Sequence, residues 1–279
     1  MLQITDHEWH EEIAKVIGSI RTPDYPHRLV DALGRLVAFD FSVMFAYRGD
    51  DRPLDLFDNF GAKRRAIFVT LYQEGPYMLD PFFRAAKEQV EPGLYRLREL
   101  APDRFYQSEY FRSYYIKTGL AEEIGFVVAL PDDVCAVMSL MRSSNRPVFS
   151  EKEMTRLRKV EPFVRASAEY HWQDLSGRFS DDAVDPEHEI LERYIDYTFR
   201  NFGRSLLSPR EREVVGLVLR GHSSDSISKI LGISPGTVKV HRKNIYAKLG
   251  IISQSELFSI FLSSLSKTKE PTRFHEVQG

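Results

Sequence analysis

The chain has 279 residues, 43 % of them hydrophobic, which is enough for two domains with a sizeable core in the larger. One cysteine excludes an internal disulfide framework and fits a reducing compartment, and no run approaches the roughly 18 consecutive apolar residues of a membrane span. Net charge is only −2, yet its distribution is uneven: Arg204 to Gly250 carries nine basic residues against three acidic ones, and the first 203 residues balance to −8. An acidic front joined to a basic block suggests a sensor attached to a nucleic-acid reader.

The start, MLQITDHEWHEEIAKV, is acidic and interrupted by charge, so it does not read as a signal peptide, and a cytoplasmic protein is expected. Asp6 to Ile20 and Pro26 to Val37 read as helices, with Trp9, Ile13, Val16 and Ile17 on one face of the first. His7 and His10 have no third ligand and read as surface residues, so no metal and no cofactor is expected.

Phe39 to Tyr47 alternates as a strand, Lys63 to Glu74 returns to helical spacing, and Asp80 with Pro81 marks a helix start. Arg104 to Lys117 reads as a helix whose aromatic stripe, Tyr106, Tyr110 and Tyr114, belongs to a core, with Gly119 as its stop. EIGFVVAL and VCAVMSLMR, separated by Pro131, Asp132 and Asp133, form a hairpin, and Cys135 inside the second strand reads as a buried structural thiol.

Ser150 and Glu153 cap a long helix running toward Trp172, which Pro162 should bend. A polar boundary around Ser176 to Asp185 precedes a helix from Pro186 to Phe202. The tail after Leu265 is polar and expected to be disordered.

These elements predict an α+β chain of two domains. The first, 1–175, is an α/β/α sandwich with a central antiparallel sheet, similar to sensor domains of the GAF and PAS type. A linker with a connecting helix spans 176–204, an all-α four-helix domain spans 205–265, and the tail is 266–279.

Within the all-α domain, Ser208, Pro209 and Glu211 form a capping box ahead of Val214, Val215, Val218 and Leu219. A short helix, DSISKIL, and a turn from Leu231 to Ser234 lead into the third helix. Ser234 can cap it, Pro235 fits its first turn, and Gly250 supplies the left-handed stop. At about 100° per residue, Val238, His241, Ile245 and Leu249 share one face, and Lys239, Val240, Lys243, Asn244 and Ala247 share the other. Two lysines, an amide and small apolar groups suit a major groove. Ser253 and Glu256 start a fourth helix carrying Leu257, Phe258 and Phe261.

SPREREV, GISPGTVKVH and KLG, in this order, resemble the DNA-binding domain of LuxR-type transcriptional regulators, and the resemblance covers about a fifth of the chain. It implies that Lys239, Val240 and Lys243 reach base edges and that Ser234, Thr237, His241 and Lys248 lie near phosphates. Arg242, on the same helix, is included in the DNA-binding set. Ser226, where the family usually has glutamate, and Gln254, where arginine is common, depart from the pattern.

The resemblance implies double-stranded DNA as partner, a homodimer joined through Leu257, Phe258 and Phe261, and contact with RNA polymerase. LuxR-type receptors of acyl-homoserine lactones use a tryptophan, a tyrosine and an Asp-Pro pair. Tyr72, Tyr77, Asp80 and Pro81 resemble that segment in part and are the candidate ligand residues. Ile67 stands at the tryptophan position, and Tyr72 is one residue too close to Asp80, which points to a small-molecule effector other than a lactone. The alternative is a front domain that only dimerises or binds a protein. A nucleophile elbow, a phosphate loop, an HExxH zinc motif and a glycine-rich dinucleotide turn are all missing, so the chain is not expected to be an enzyme.

Overall fold

Thr5 opens the first helix through a reciprocal capping box with Glu8, so that α1 runs Asp6–Ser19, followed by α2, Tyr25–Leu36. The computed structural model describes residues 5–73, 75–113, 119–181 and 202–266. Its chain divides into two compact units, one made of Met1–Pro102 and Ser113–Val184, the other of Asp103–Arg112 and Asp185–Gly279.

In the front unit, strand β1 is Phe41–Arg48 and β2 is Leu54–Asp58. A helical stretch then begins at Ala62 and continues as a π-helix over Ala66–Leu71. Helix α3, Pro81–Lys87, starts as expected at Asp80, whose carboxylate accepts the Phe82 amide hydrogen at 2.8 Å. Strands β3 (Gly93–Arg96), β4 (Leu120–Ala129) and β5 (Val134–Ser143) and helix α4 (Glu151–His171) complete the unit's main elements.

The sheet order is β2-β1-β5-β4-β3, antiparallel at every pairing. Asp132 and Asp133 turn the β4–β5 hairpin with φ of 60° and 57°, a conformation that aspartate tolerates by bonding to nearby backbone. Strands β2 and β3 are edge strands that periodicity does not reveal, because five and four residues are too few to establish alternation. Helix α4 is capped by Ser150 with Glu153 and continues as one helix through Pro162.

Side chains alternate across the sheet, so its two faces carry different chemistry. Met44, Ala46, Phe126, Met138 and Leu140 join Leu29, Leu33, Leu157 and Val164 in the main core against α2 and α4. The opposite face presents Phe45, Tyr47, Val127, Cys135 and Val137. Gly125 on that face lets the Phe82 ring close in, since a Cβ there would lie 2.5 Å from it. Burial pushes the Cys135 thiol up to about 12, so the thiolate is suppressed at neutral pH.

The helix expected over 104–117 is broken. A 3₁₀ turn, Phe105–Gln107, precedes a short helix, Glu109–Ser113, because the buried Ser108 hydroxyl accepts the Phe111 amide and restarts the chain. Residues 114–118, including Tyr114, lie outside the described residues, as do 182–201 of the expected connecting helix and the tail beyond 266.

The second unit carries α5 (Pro209–Arg220), α6 (Ser224–Leu231), α7 (Pro235–Leu249) and α8 (Gln254–Ser266). Glycines 221, 232 and 250 end α5, α6 and α7 in the left-handed conformation. Val214, Val218, Ile227, Val238, Ile245 and Phe261 are all buried in this unit.

No helix among the described residues is long and apolar enough to cross a membrane.

Candidate nucleic-acid interface and effector site

Helix α7 follows α6 after only Gly232, Ile233 and Ser234, the short turn of a helix-turn-helix. Ser234 is extended, and its hydroxyl accepts the Thr237 amide hydrogen at 3.0 Å; the two hydroxyls also lie 2.8 Å apart. The cap therefore holds both Ser234 and Thr237 at the exposed start of the helix.

Along α7, Val238 and Ile245 are buried and His241 and Leu249 half-buried, while Lys239, Val240, Lys243, Asn244 and Ala247 are exposed. Val240 is 57 % exposed, an outlay of apolar surface that helix packing does not require. Among the described residues neither Lys239 nor Lys243 has an ion-pair partner, so both ammonium groups project charge outward.

The other basic residues of the predicted set are held more firmly. Arg242 donates to the Tyr246 hydroxyl at 3.3 Å and to Gln254 Oε1 at 3.4 Å, and Gln254 Nε2 in turn donates to the Val218 carbonyl at 3.3 Å. Lys248 Nζ lies 2.7 Å from the buried Glu211 carboxylate, which also accepts the Ser208 amide in the cap of α5. The Lys248 hydrogen bond is the largest influence holding the Glu211 carboxyl below its ordinary range. Lys248 is thus neutralised inside its own domain, a role that linear spacing does not reveal.

Leu257, Phe258 and Phe261, the residues the resemblance assigns to a subunit contact, lie along α8. They are 1 %, 4 % and 1 % exposed in a single chain, and Phe261 meets Phe202 edge to face at 5.6 Å. Their stripe fills the domain's own core, and the exposed apolar side chains nearby are Ile252 and Ile260.

In the front unit, three of the four candidate ligand residues come together on the sheet face opposite the main core. The Tyr72 hydroxyl donates to Asp80 Oδ2 at 2.7 Å and lies 2.9 Å from the Tyr47 hydroxyl. The Tyr77 ring lies 6.2 Å from that of Tyr72 and 5.0 Å from that of Phe83. Pro81 is buried in the first turn of α3, where it orients Asp80 but offers no hydrogen-bond donor.

Burial pushes the Asp80 carboxyl up to about 6, against the Tyr72 hydroxyl and Phe82 amide, which favour the ionised form. Burial, and then the nearby Asp80 charge, raises the Tyr47 phenol well above its usual value. Tyr47 was not among the candidates; its signal is a polar-tipped residue closing an apolar alternation in β1. Ile67, at the tryptophan position of lactone receptors, is half-buried.

The model of bacterial regulatory proteins of the luxR family matches residues 205–261, a stretch that holds α5, α6, α7 and the first part of α8. A putative helix-turn-helix transcriptional regulator of Aeromonas salmonicida is 32 % identical over 186 residues, covering 67 % of this chain and 94 % of the relative. The chain belongs to the LuxR family of bacterial regulatory proteins.

The transcriptional regulatory protein MctR of Rhizobium johnstonii is 44 % identical over 55 residues, 20 % of this LuxR-family chain and 26 % of its own. Among solved structures, the ligand-binding domain of VqsR from Pseudomonas aeruginosa has a TM-score of 0.51 at 23 % identity, covering 58 % of this chain and 95 % of that one. That likeness shows the fold. The protein is a LuxR-type transcriptional regulator with a DNA-binding helix-turn-helix at its C-terminal end.

Proposed function

We propose that the regulator reads duplex DNA through the outer face of α7 and acts as a homodimer whose DNA binding is set by a small molecule held in the front unit. The observation that carries the DNA reading is the split of α7. Two buried aliphatic residues anchor it, and two lysines that have no ion-pair partner among the described residues flank an exposed valine on the other side. Lys239, Val240 and Lys243 meet base edges in this reading, and Ser234, Thr237 and His241 lie beside phosphates. Two copies would place their α7 helices in adjacent major grooves about 34–36 Å apart on a near-palindromic site.

Functionally, 1–175 senses, 205–265 reads, and 176–204 connects them. The effector reading rests on Tyr47, Tyr72 and Asp80, a polar chain set among aromatic rings with a carboxyl that burial raises to about 6. A ligand with a hydrogen-bonding head and an apolar body matches that chemistry.

Lys239→Ala and Lys243→Ala test the reading by duplex binding at several salt concentrations. A side chain that meets a base should cost about 1–3 kcal/mol on the preferred site when truncated. A uniform loss on all sequences with a shallower salt slope assigns that lysine to phosphate instead.

A further inference from the structure

The compact unit that holds the helix-turn-helix includes ten residues from far upstream, Asp103–Arg112, whose chain neighbours on both sides, Pro102 and Ser113, belong to the front unit. They are seated on the loop between α5 and α6. The Asp103 carboxylate accepts the Ser223 amide hydrogen at 3.0 Å, and the Arg104 amide donates to the Gly221 carbonyl at 3.0 Å.

The fit is close. Phe105 is fully buried, with the Tyr110 and Phe111 rings 5.9 and 5.7 Å away. Gly221 has a φ of 94°, and a Cβ there would lie 2.9 Å from the Phe105 Cα and 3.2 Å from the Ser108 Cβ. Burial works against the Asp103 charge, and the hydrogen bonds from Ser223, with His222 nearby, outweigh it, leaving that carboxyl below its ordinary range.

Ser223 is the N-cap of α6, the first helix of the helix-turn-helix. In this motif the first helix crosses the DNA backbone, and phosphate oxygens take amide hydrogens at helix starts. A carboxylate already bound to the Ser223 amide occupies a donor suited to phosphate and repels the phosphates nearby.

We propose that Asp103–Arg112 is an inhibitory strap, a segment of the reader's own compact unit, clipped onto the α5–α6 loop, that must leave before the reader closes on duplex DNA. Because the strap is continuous with the sheet-bearing unit on both sides, a change there could pull it away without any new contact at α7. This rests on the reading that α7 and its scaffold bind DNA.

The test uses the full chain and a pool of random-sequence duplexes at low and physiological salt. Asp103→Asn should bind the pool about tenfold more tightly than the parent, and Phe105→Ala, which changes no charge, should also bind more tightly. Hydrogen exchange gives a readout independent of variant stability: in the parent saturated with duplex, the Arg104 amide should lose the protection it gains from Gly221. Protection that survives saturation overturns the strap. So does a chain whose binding falls with Lys243→Ala but is indifferent to Asp103→Asn. A chain indifferent to Lys243→Ala as well overturns the reading of α7 and the strap with it.

Discussion

Each unit begins a helix beside a carboxylate, and the two carboxylates are treated in opposite ways. In the front unit Asp80 caps α3 among aromatic rings, and its partners are a hydroxyl and an amide, so burial leaves it with a carboxyl of about 6. In the reader Glu211 completes the cap of α5 and meets the Lys248 ammonium at 2.7 Å, which keeps it ionised. A charge left without a cation can respond to its surroundings, whereas a charge that is paired only fixes them. The reader neutralises its scaffold and leaves Lys239 and Lys243 for the outside, while the front unit keeps its unsettled charge within.

The comparison fails first if the reader's interior is not rigid. Phe261→Ala removes a fully buried ring and should cost the reader about 3–5 kcal/mol, seen as an earlier unfolding transition with the front unit's transition unchanged. A variant that loses dimerisation while keeping its stability would return Phe261 to the subunit contact.

Glu211→Ala is a smaller change. It removes half of a capping box and the partner of Lys248, and should lower the stability of the reader by about 1–2 kcal/mol in denaturant titration. Glu211→Gln, which keeps the cap, should recover part of that loss; equal losses would deny the cap its share.

The mildest test concerns Asp80. Its folded pKa is raised, so the folded state binds the proton more tightly than the unfolded chain, and stability grows as pH falls through about 6 toward the ordinary carboxylate range. Between pH 7 and pH 5 the front unit should gain about 1 kcal/mol relative to Asp80→Asn. A parent and variant with parallel pH profiles would show that Asp80 does not carry that proton.

Local signals made the reader legible in sequence. The Ser234 cap, the Gly250 stop and the split of α7 each depend on residues within one or two turns, and all three appear as expected. The β4–β5 hairpin was legible for the same reason, since Pro131 to Asp133 punctuate two alternating runs.

What was not legible depends on long-range contact. An apolar stripe such as Leu257, Phe258 and Phe261 reads alike whether its own domain or a partner covers it. Asp103 meets Ser223, 120 residues away, and Lys248 meets Glu211, 37 residues away, so spacing gave no sign of either. Tyr47 and Tyr72 meet only because residues 66–73 fold back over β1.

The proposed function turns on base reading by the outer face of α7. Selection from a duplex library by the parent and by Lys243→Ala, at one fixed salt concentration, tests it most directly. The parent should select a near-palindromic site, and the variant should bind that site more weakly and lose preference at one position in each half. Identical selected sequences and affinities for the two proteins would contradict it.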